Sequence, residues 1–354
     1  MHRLFQMLQR AVSLPATLLS TAVGMPIVEA ACSVIASAFD GRVAEHAALR
    51  LKCESLLERA MARPDDSVHE RAAEALHTVA KFGGQSEYFA LIRKRWDGFS
   101  TIEQQGWSLA LGALNHQDEE HASAKVLTFL FELLKPPSPQ YATTVEARRN
   151  ACSAIAELLS ANTRLFTKDA TRDSAQTLHV CLEDYTIDQR GDVGSWVRMS
   201  ALKALGKILA IAAEKEDVGE EVRAARLAIL KQMSERMGSV RSAAAHALLE
   251  VEQPQQASSD THVDELLACI GEASELELRE PEWLFPRLAS LLHVPQYMPP
   301  ISSGFLSSIG SIADSTVSRT LLPNRSSFHC CSLRSCHCLS APSSPNCVGW
   351  VGQR

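Results

Sequence analysis

The sequence predicts an all-α protein: a helical-repeat solenoid of stacked helix pairs. Three observations lead there. Hydrophobic residues are 46% of the chain but aromatics only 6%, with Ala and Leu abundant, a balance that suits closely packed helices better than a β-sandwich. One small-residue pattern recurs along the chain. Nothing reads as a succession of alternating strands.

The recurring pattern is an aliphatic residue or Ala, then usually Arg, two spacers, a small residue, two spacers, and Ala–Leu or its equivalent. Four copies are clear: Val68-His69…Ala72…Ala75-Leu76, Ala147-Arg148…Ala151…Ala154-Ile155, Val197-Arg198…Ala201…Ala204-Leu205 and Val240-Arg241…Ala244…Ala247-Leu248. Looser copies begin at Ile27-Val28 and Ile102-Glu103, so successive starts fall 34 to 50 residues apart. Units of the HEAT and armadillo type repeat at about 40–47 residues. Positions i, i+4, i+7 and i+8 share one helix face, and Ala at the middle two lets a neighbouring helix approach closely. No unit can bury that face alone, so the units must stack. The Arg falls off the stripe near the helix start, where a structural pairing with an acid of an adjacent turn is expected of Arg148, Arg198 and Arg241.

In chain order, the first 31 residues carry a faint signal-peptide look. Gln6, Gln9 and Arg10 interrupt the apolar run, however, and no charge-free stretch reaches membrane-spanning length. They read as the first helices of the array. Asp65-Asp66-Ser67 opens a helix through His77, and Gly83-Gly84 closes it. Pro136-Pro137-Ser138-Pro139 breaks the chain after the apolar run Val126–Leu134. Gly191-Asp192 precedes the helix holding Trp196, with Asp192 as a candidate N-cap. Gln253–Gln256 is a polar linker, and Glu280-Pro281-Glu282 starts another helix with Pro near its first position. The predicted array covers residues 1–320. Residues 321–354 form a Ser/Cys-rich tail without acids or helical period, expected to be disordered.

Charge and motifs narrow the function. A net charge of −6 has the wrong sign for a nucleic-acid binder. The absence of a membrane span points to a soluble, cytosolic protein. Cys32, Cys53, Cys152, Cys181 and Cys269 sit in apolar helical stretches, where Cys acts as a small buried hydrophobe in a reducing compartment. Enzyme signatures are missing: no phosphate-cradling G-x-x-x-x-G-K-[ST] and no G-x-S-x-G elbow. His69 and His77 are eight apart, not the i, i+4 of a helical zinc pair. The tail run His329–Cys338 has soft ligands at close spacing but nothing to fold around an ion, so only adventitious zinc or oxidation is expected there. No catalytic, cofactor-binding or metal residue is assigned. The candidate contact surface is the loop and helix start with Asp188, Arg190, Asp192, Trp196 and Arg198. Loops on rigid repeat frames commonly carry recognition, and Trp and Arg dominate interface hot spots. Trp196 has two readings, an aromatic anchor or the core residue closing the groove between repeats, and Arg198 has a structural reading in a pair with Asp192.

One stretch goes beyond generic helix physics. Asp184-Tyr185-Thr186-Ile187-Asp188-Gln189-Arg190-Gly191-Asp192-Val193-Gly194-Ser195-Trp196-Val197-Arg198 resembles the "D-Y-T-x-D-x-R-G-D-V-G-x-W-V-R" segment of the tubulin-specific chaperone D (tubulin-folding cofactor D) family. Ser108–Leu114, Glu146–Ile155 and the block Trp283…Phe285-Pro286-Arg287…Leu291-Leu292…Pro295…Tyr297, continued by Ser308-Ile309-Gly310 and Ser315-Thr316-Val317, keep the family's order. The resemblance is strongest from about Tyr88 to Thr316 and fits a fragment from the middle and C-terminal part of a longer protein. It implies a HEAT-type scaffold, not an enzyme, that binds β-tubulin. It implies further partners: the α/β-tubulin heterodimer, cofactors E and C, and an ADP-ribosylation-factor-like small GTPase. In that complex the family has a GTPase-activating role, the hydrolysed GTP belonging to tubulin and the small GTPase. A cytoplasmic location with microtubule association follows from the same resemblance. The rival class, a HEAT scaffold of transport or phosphatase type, has the same composition and periodicity but no reason to carry Asp184–Arg198.

Overall fold

Each of the six repeat starts opens a helix. The structure, a computed structural model, describes residues 2–11, 24–115, 120–135, 143–213, 219–251 and 261–308. Pro136–Pro139, the linker Gln253–Gln256 and the tail from Leu321 lie outside the described residues, as do Ile309, Gly310 and Ser315–Val317. After α1 (His2–Ala11) come α2 (Met25–Ala38), α3 (Gly41–Glu45), α4 (Ala47–Met61), α5 (Asp66–Gly83), α6 (Gln85–Arg95) and α7 (Thr101–Ala110). Then follow α8 (Glu120–Leu134), α9 (Val145–Ala161), α10 (Lys168–Cys181), α11 (Gly194–Ala213), α12 (Gly219–Met233) and α13 (Gly238–Val251). The last described helices are α14 (Thr261–Ile270), α15 (Glu275–Arg279), α16 (Pro281–Ser290) and α17 (Met298–Ser308). Among the described residues the fold is all-α, as predicted, with one small exception. Strand β1 (Ile187–Asp188) pairs antiparallel with β2 (Gly191–Asp192) in a two-residue hairpin.

The helices form two layers. In the front row α2, α5, α7, α9, α11, α13 and α15 each pack on the next, and these include all six helices that carry the repeat pattern. Behind them α6 packs on α8, α8 on α10, α10 on α12 and α12 on α17. The expected small-residue seam is present: Ala75, Ala154, Ala204 and Ala247 are all buried between helices. The buried residues make one continuous core from Val28 to Phe305, as stacking of units with unburied faces requires.

The predicted punctuation that falls within the described residues holds. Asp65 is the N-cap of α5, and the chain leaves that helix at Gly84 with φ +82°, a conformation that favours glycine. The helix runs past His77 to Gly83. Pro281 is the first residue of α16. Thr144 and Thr167 cap α9 and α10 by accepting from Ala147 and Ala170 N–H. Ser100 and Glu103 form a reciprocal capping box at α7, which gives Glu103 an end-sealing task at the position that holds Arg in the later repeats. Cys32, Cys53, Cys152 and Cys181 are buried. Burial pushes the Cys32 and Cys53 thiols up to about 12, so they stay protonated and pack as small apolar groups. Among the described residues, no helix is long and apolar enough to cross a membrane.

Candidate functional site

The hairpin between α10 and α11 is built by short-range hydrogen bonds. Asp184 Oδ1 accepts from the Thr186 N–H at 3.1 Å and from the Thr186 hydroxyl, turning the chain out of α10. Asp188 Oδ1 accepts from the Arg190 N–H at 2.7 Å and closes the turn between the strands. Gly191 follows with φ +102° and open space around it, so its glycine is required by backbone conformation and not by crowding. Gly194 is the opposite case. A Cβ there would lie 2.2 Å from the Asp184 carbonyl oxygen, and its N–H donates to Thr186 O at 2.9 Å. The first turn of α11 is thereby pressed against the loop, and Asp192 accepts from the Ser195 N–H at 3.1 Å in the capping manner expected of it.

Arg198 lies beneath this hairpin and its side chain is wholly buried. Nη1 donates to Asp184 O at 2.7 Å and Nη2 to Asp192 Oδ2 at 2.9 Å. Nη2 also reaches Glu235 Oε1, in the loop before α13, at 3.3 Å. The guanidinium stacks on the Tyr185 ring, 4.3 Å from its centroid. A planar fork suits this many-sided contact where an ammonium would not. Burial corrects the expectation that Arg198 belongs to a contact surface: it braces the surface from inside.

Arg148 and Arg241 occupy the equivalent positions in the neighbouring repeats. Arg148 donates to Thr143 O in its own preceding loop, and it pairs with Asp184 at 2.8 Å in the next. Arg241 is buried too, but its partners are backbone carbonyls of Glu235, Arg236 and Arg279. The expected acid partner is replaced there by peptide oxygens, and burial lowers the Arg241 pKa from its usual value. The three arginines thus form a ladder: Arg148 and Arg198 each tie the loop before their own helix to the loop before the next front-row helix, and Arg241 ties its own preceding loop to the C-terminal end of α15.

Arg190 projects the other way. Its side chain is about half exposed. It pairs with Asp188 in a fork at 2.6 and 3.0 Å, reaches Glu146 Oε1 on α9 at 2.7 Å, and lies over the Trp196 ring at 4.9 Å. The Arg190 hydrogen bonds hold the Asp188 carboxyl below its ordinary pKa. Trp196 falls between its two readings: it is half-buried, packed against the core on one side and covered by Arg190 on the other. It borders a groove of about 360 Å³ lined by Asp66, Glu70, Arg149, Met199 and Lys203 among others. Arg149 crosses this groove's edge to Asp66 on α5 at 2.7 Å. Sequence reasoning missed two members of the site. Ile187, at the hairpin, is 75% exposed. Glu146 was read only as part of a family motif. The spacing Asp188-x-x-Gly191, a type I turn signature, was the available signal for the hairpin.

Comparison with known proteins adds two partial matches. Residues 224–321 match the family described as "Tubulin folding cofactor D C terminal". That stretch includes the Trp283–Tyr297 block and begins after the hairpin. The tubulin-specific chaperone D of Dictyostelium discoideum is 21% identical, over 70% of this chain and 20% of its own length. The chain thus spans about a fifth of that relative. No solved structure matches. Both matches bear out the resemblance to tubulin-folding cofactor D, for a chain of fragment length.

Proposed function

We propose that this chain acts as a protein-holding segment of the tubulin-cofactor-D type. It would contact β-tubulin through the surface made by the Ile187–Asp192 hairpin, Arg190 and Trp196, and so take part in folding and assembling the α/β-tubulin heterodimer. One observation carries this reading. A buried Arg198 fixes the hairpin from below while Arg190 and Ile187 stay open to solvent. A surface held in its binding shape loses little entropy when a partner docks. An exposed Arg beside a Trp is also the usual composition of an interface hot spot. Asp188 and Asp192 serve this surface by shaping the turn. The other family partners belong to the same proposal: cofactors E and C, the ADP-ribosylation-factor-like small GTPase, and the GTPase-activating role in the assembled complex. So do the cytoplasmic location, microtubule association and non-enzymatic character.

The test is binding of purified tubulin to the full chain. Arg190→Ala and Ile187→Asp should each weaken binding at least about tenfold with an unchanged melting temperature. If both variants bind tubulin as tightly as the parent, the contact surface lies elsewhere. If the parent chain itself shows no binding to tubulin, the scaffold reading fails for this segment.

A further inference from the structure

We propose that His262, Glu265 and His293 form a binding site for a zinc-type divalent cation, clamping the start of α14 to the turn that leads into α17. The sequence reading assigned no metal, because the third residue is distant in the chain. The fold brings it close. His262 and Glu265 are three apart on α14 and therefore share a face. His293 closes a short 3-10 turn, Leu291–His293, after α16. One ligand atom from each residue lies within 4.8 Å of the other two. His262 Nδ1 is 3.6 Å from Glu265 Oε1, and His293 Nε2 is 3.4 Å from Glu265 Oε2. A tetrahedral ion with ligands at about 2.0–2.1 Å has ligand–ligand edges of about 3.3 Å, close to both His–Glu separations, and the two ring nitrogens, within 4.8 Å of each other, would draw together by side-chain rotation around it.

A second observation fixes the chemistry. His293 Nδ1 contacts the Ser290 carbonyl oxygen at 2.7 Å. A carbonyl can only accept, so Nδ1 carries the proton. In the neutral ring Nε2 then presents its lone pair to the Glu265 carboxylate. Two electron-rich atoms converging in this way require a cation between them, either a proton on Nε2 or a metal ion. Donation of the outer ring N–H to a backbone carbonyl is the arrangement that orients metal-bound histidines. Two imidazoles and one carboxylate select zinc-like ions over magnesium or calcium, which prefer all-oxygen shells. Three protein ligands leave the fourth position to water. The two rings meet nearly edge to face, at 78° with centroids 6.3 Å apart. The three residues are exposed or half-buried at the surface, so an ion can enter without unfolding. All three lie within the residues that match the cofactor D C-terminal family, but the inference rests on their geometry and is independent of the tubulin reading.

The tail thiols would compete for zinc, so the experiment uses the full chain with Ser at Cys330, Cys331, Cys336, Cys338 and Cys347. Titration with Zn²⁺ should show one equivalent bound at micromolar free metal and a rise in melting temperature. Ca²⁺ and Mg²⁺ at the same concentrations should do neither. His293→Ala and Glu265→Gln should each weaken Zn²⁺ binding at least about tenfold and abolish the thermal shift, with unchanged circular dichroism. Equal affinity in His293→Ala and the parent would overturn the proposal. So would binding only at millimolar Zn²⁺, which would mark an adventitious ion and leave a protonated His293–Glu265 ion pair as the resident contact.

Discussion

In the helices from α9 to α13, the second residue of the repeat pattern is Arg148, Arg198 or Arg241; the first two guanidiniums each tie two loops together, and the third ties a loop to the end of α15. In the helices from α2 to α7 the same position holds Val28, His69 and Glu103. Val28 is buried in the core, His69 is buried against the next helix, and Glu103 seals its own helix start. The loops around α6 to α8 are held instead by aromatic packing. Trp96 meets Phe129 edge-on at 5.1 Å and Phe99 stacks on Trp107 at 5.9 Å. Both regions keep the same small-residue seam. The stripe therefore sets how helices stack, and the residue beside it decides what happens at the loops. A buried fork with several donors can hold an irregular hairpin out from the frame, whereas rings pack loops down onto it.

Removing the fork should produce the largest effect. Arg198→Ala leaves Asp192 and the largely buried Glu235 carboxylate without their shared cation. Breaking a buried pair in this way costs about 3–5 kcal/mol, measurable by urea unfolding. Arg198→Lys should recover only part of it, because an ammonium cannot reach Asp184 O, Asp192 and Glu235 in one plane. A cost under about 1 kcal/mol for Arg198→Ala would mean that the ladder is not what distinguishes the two regions.

The seam, by contrast, should respond alike in both. Ala204→Phe and Ala75→Phe each drive a ring into a closed space between front-row helices, since both alanines are essentially inaccessible. Overpacking of this kind costs roughly 1–3 kcal/mol. Unchanged thermal midpoints in both variants would remove the stripe as the common element.

How much of this was open to inspection in the chain follows the same division. The stripe is a local, periodic feature, so the six repeat starts, the buried alanines and the closure at Gly83-Gly84 could be read directly. What the loops do depends on residues far apart. Arg198 meets Glu235 across 37 positions and Arg190 meets Glu146 across 44. The sequence offered Arg198 a structural pairing and Arg190 a partner-facing role, but it did not reach the distant acids Glu235 and Glu146 that each one meets. Arg241 looked identical to Arg198 in its motif, yet the chain around it offers carbonyls in place of a carboxylate. The hairpin was missed because two-residue strands have no alternation to detect. His293 could not be joined to His262 and Glu265 without the turn after α16.

Each region also contains one described glycine at positive φ, Gly84 at +82° and Gly191 at +102°. Ala at either site should cost about 1–3 kcal/mol, the penalty for holding a Cβ-bearing residue in a sparsely populated positive-φ conformation. The consequences should differ. Gly84→Ala acts on a helix end inside the array and should lower global stability by the full amount. Gly191→Ala acts on a hairpin that can distort locally, so part of the strain should appear as faster hydrogen exchange from residues 187–192. Equal exchange in parent and variant would show the hairpin to be as firmly built in as the helices.

The smallest expected effect concerns pH and isolates the amino-terminal region. His69 fills the ladder position of α5 with no exposed surface. A Cβ on Gly106 of the adjacent helix would fall within 2.9 Å of its ring, so the glycine makes room for the imidazole. Burial lowers the His69 pKa from 6.5. The unfolded chain therefore binds a proton more readily than the folded one, and the folded state loses stability as pH falls. The contribution is fully present above about pH 6.5 and declines below it, through the depressed folded value. Melting followed from pH 7.5 to 5 should show a steeper decline in the parent than in His69→Leu, which fills the same space without a titrating group. If the two curves run parallel, the buried imidazole is not protonated on unfolding, and the amino-terminal repeats have no pH-sensitive element at the position where the later repeats carry their arginines.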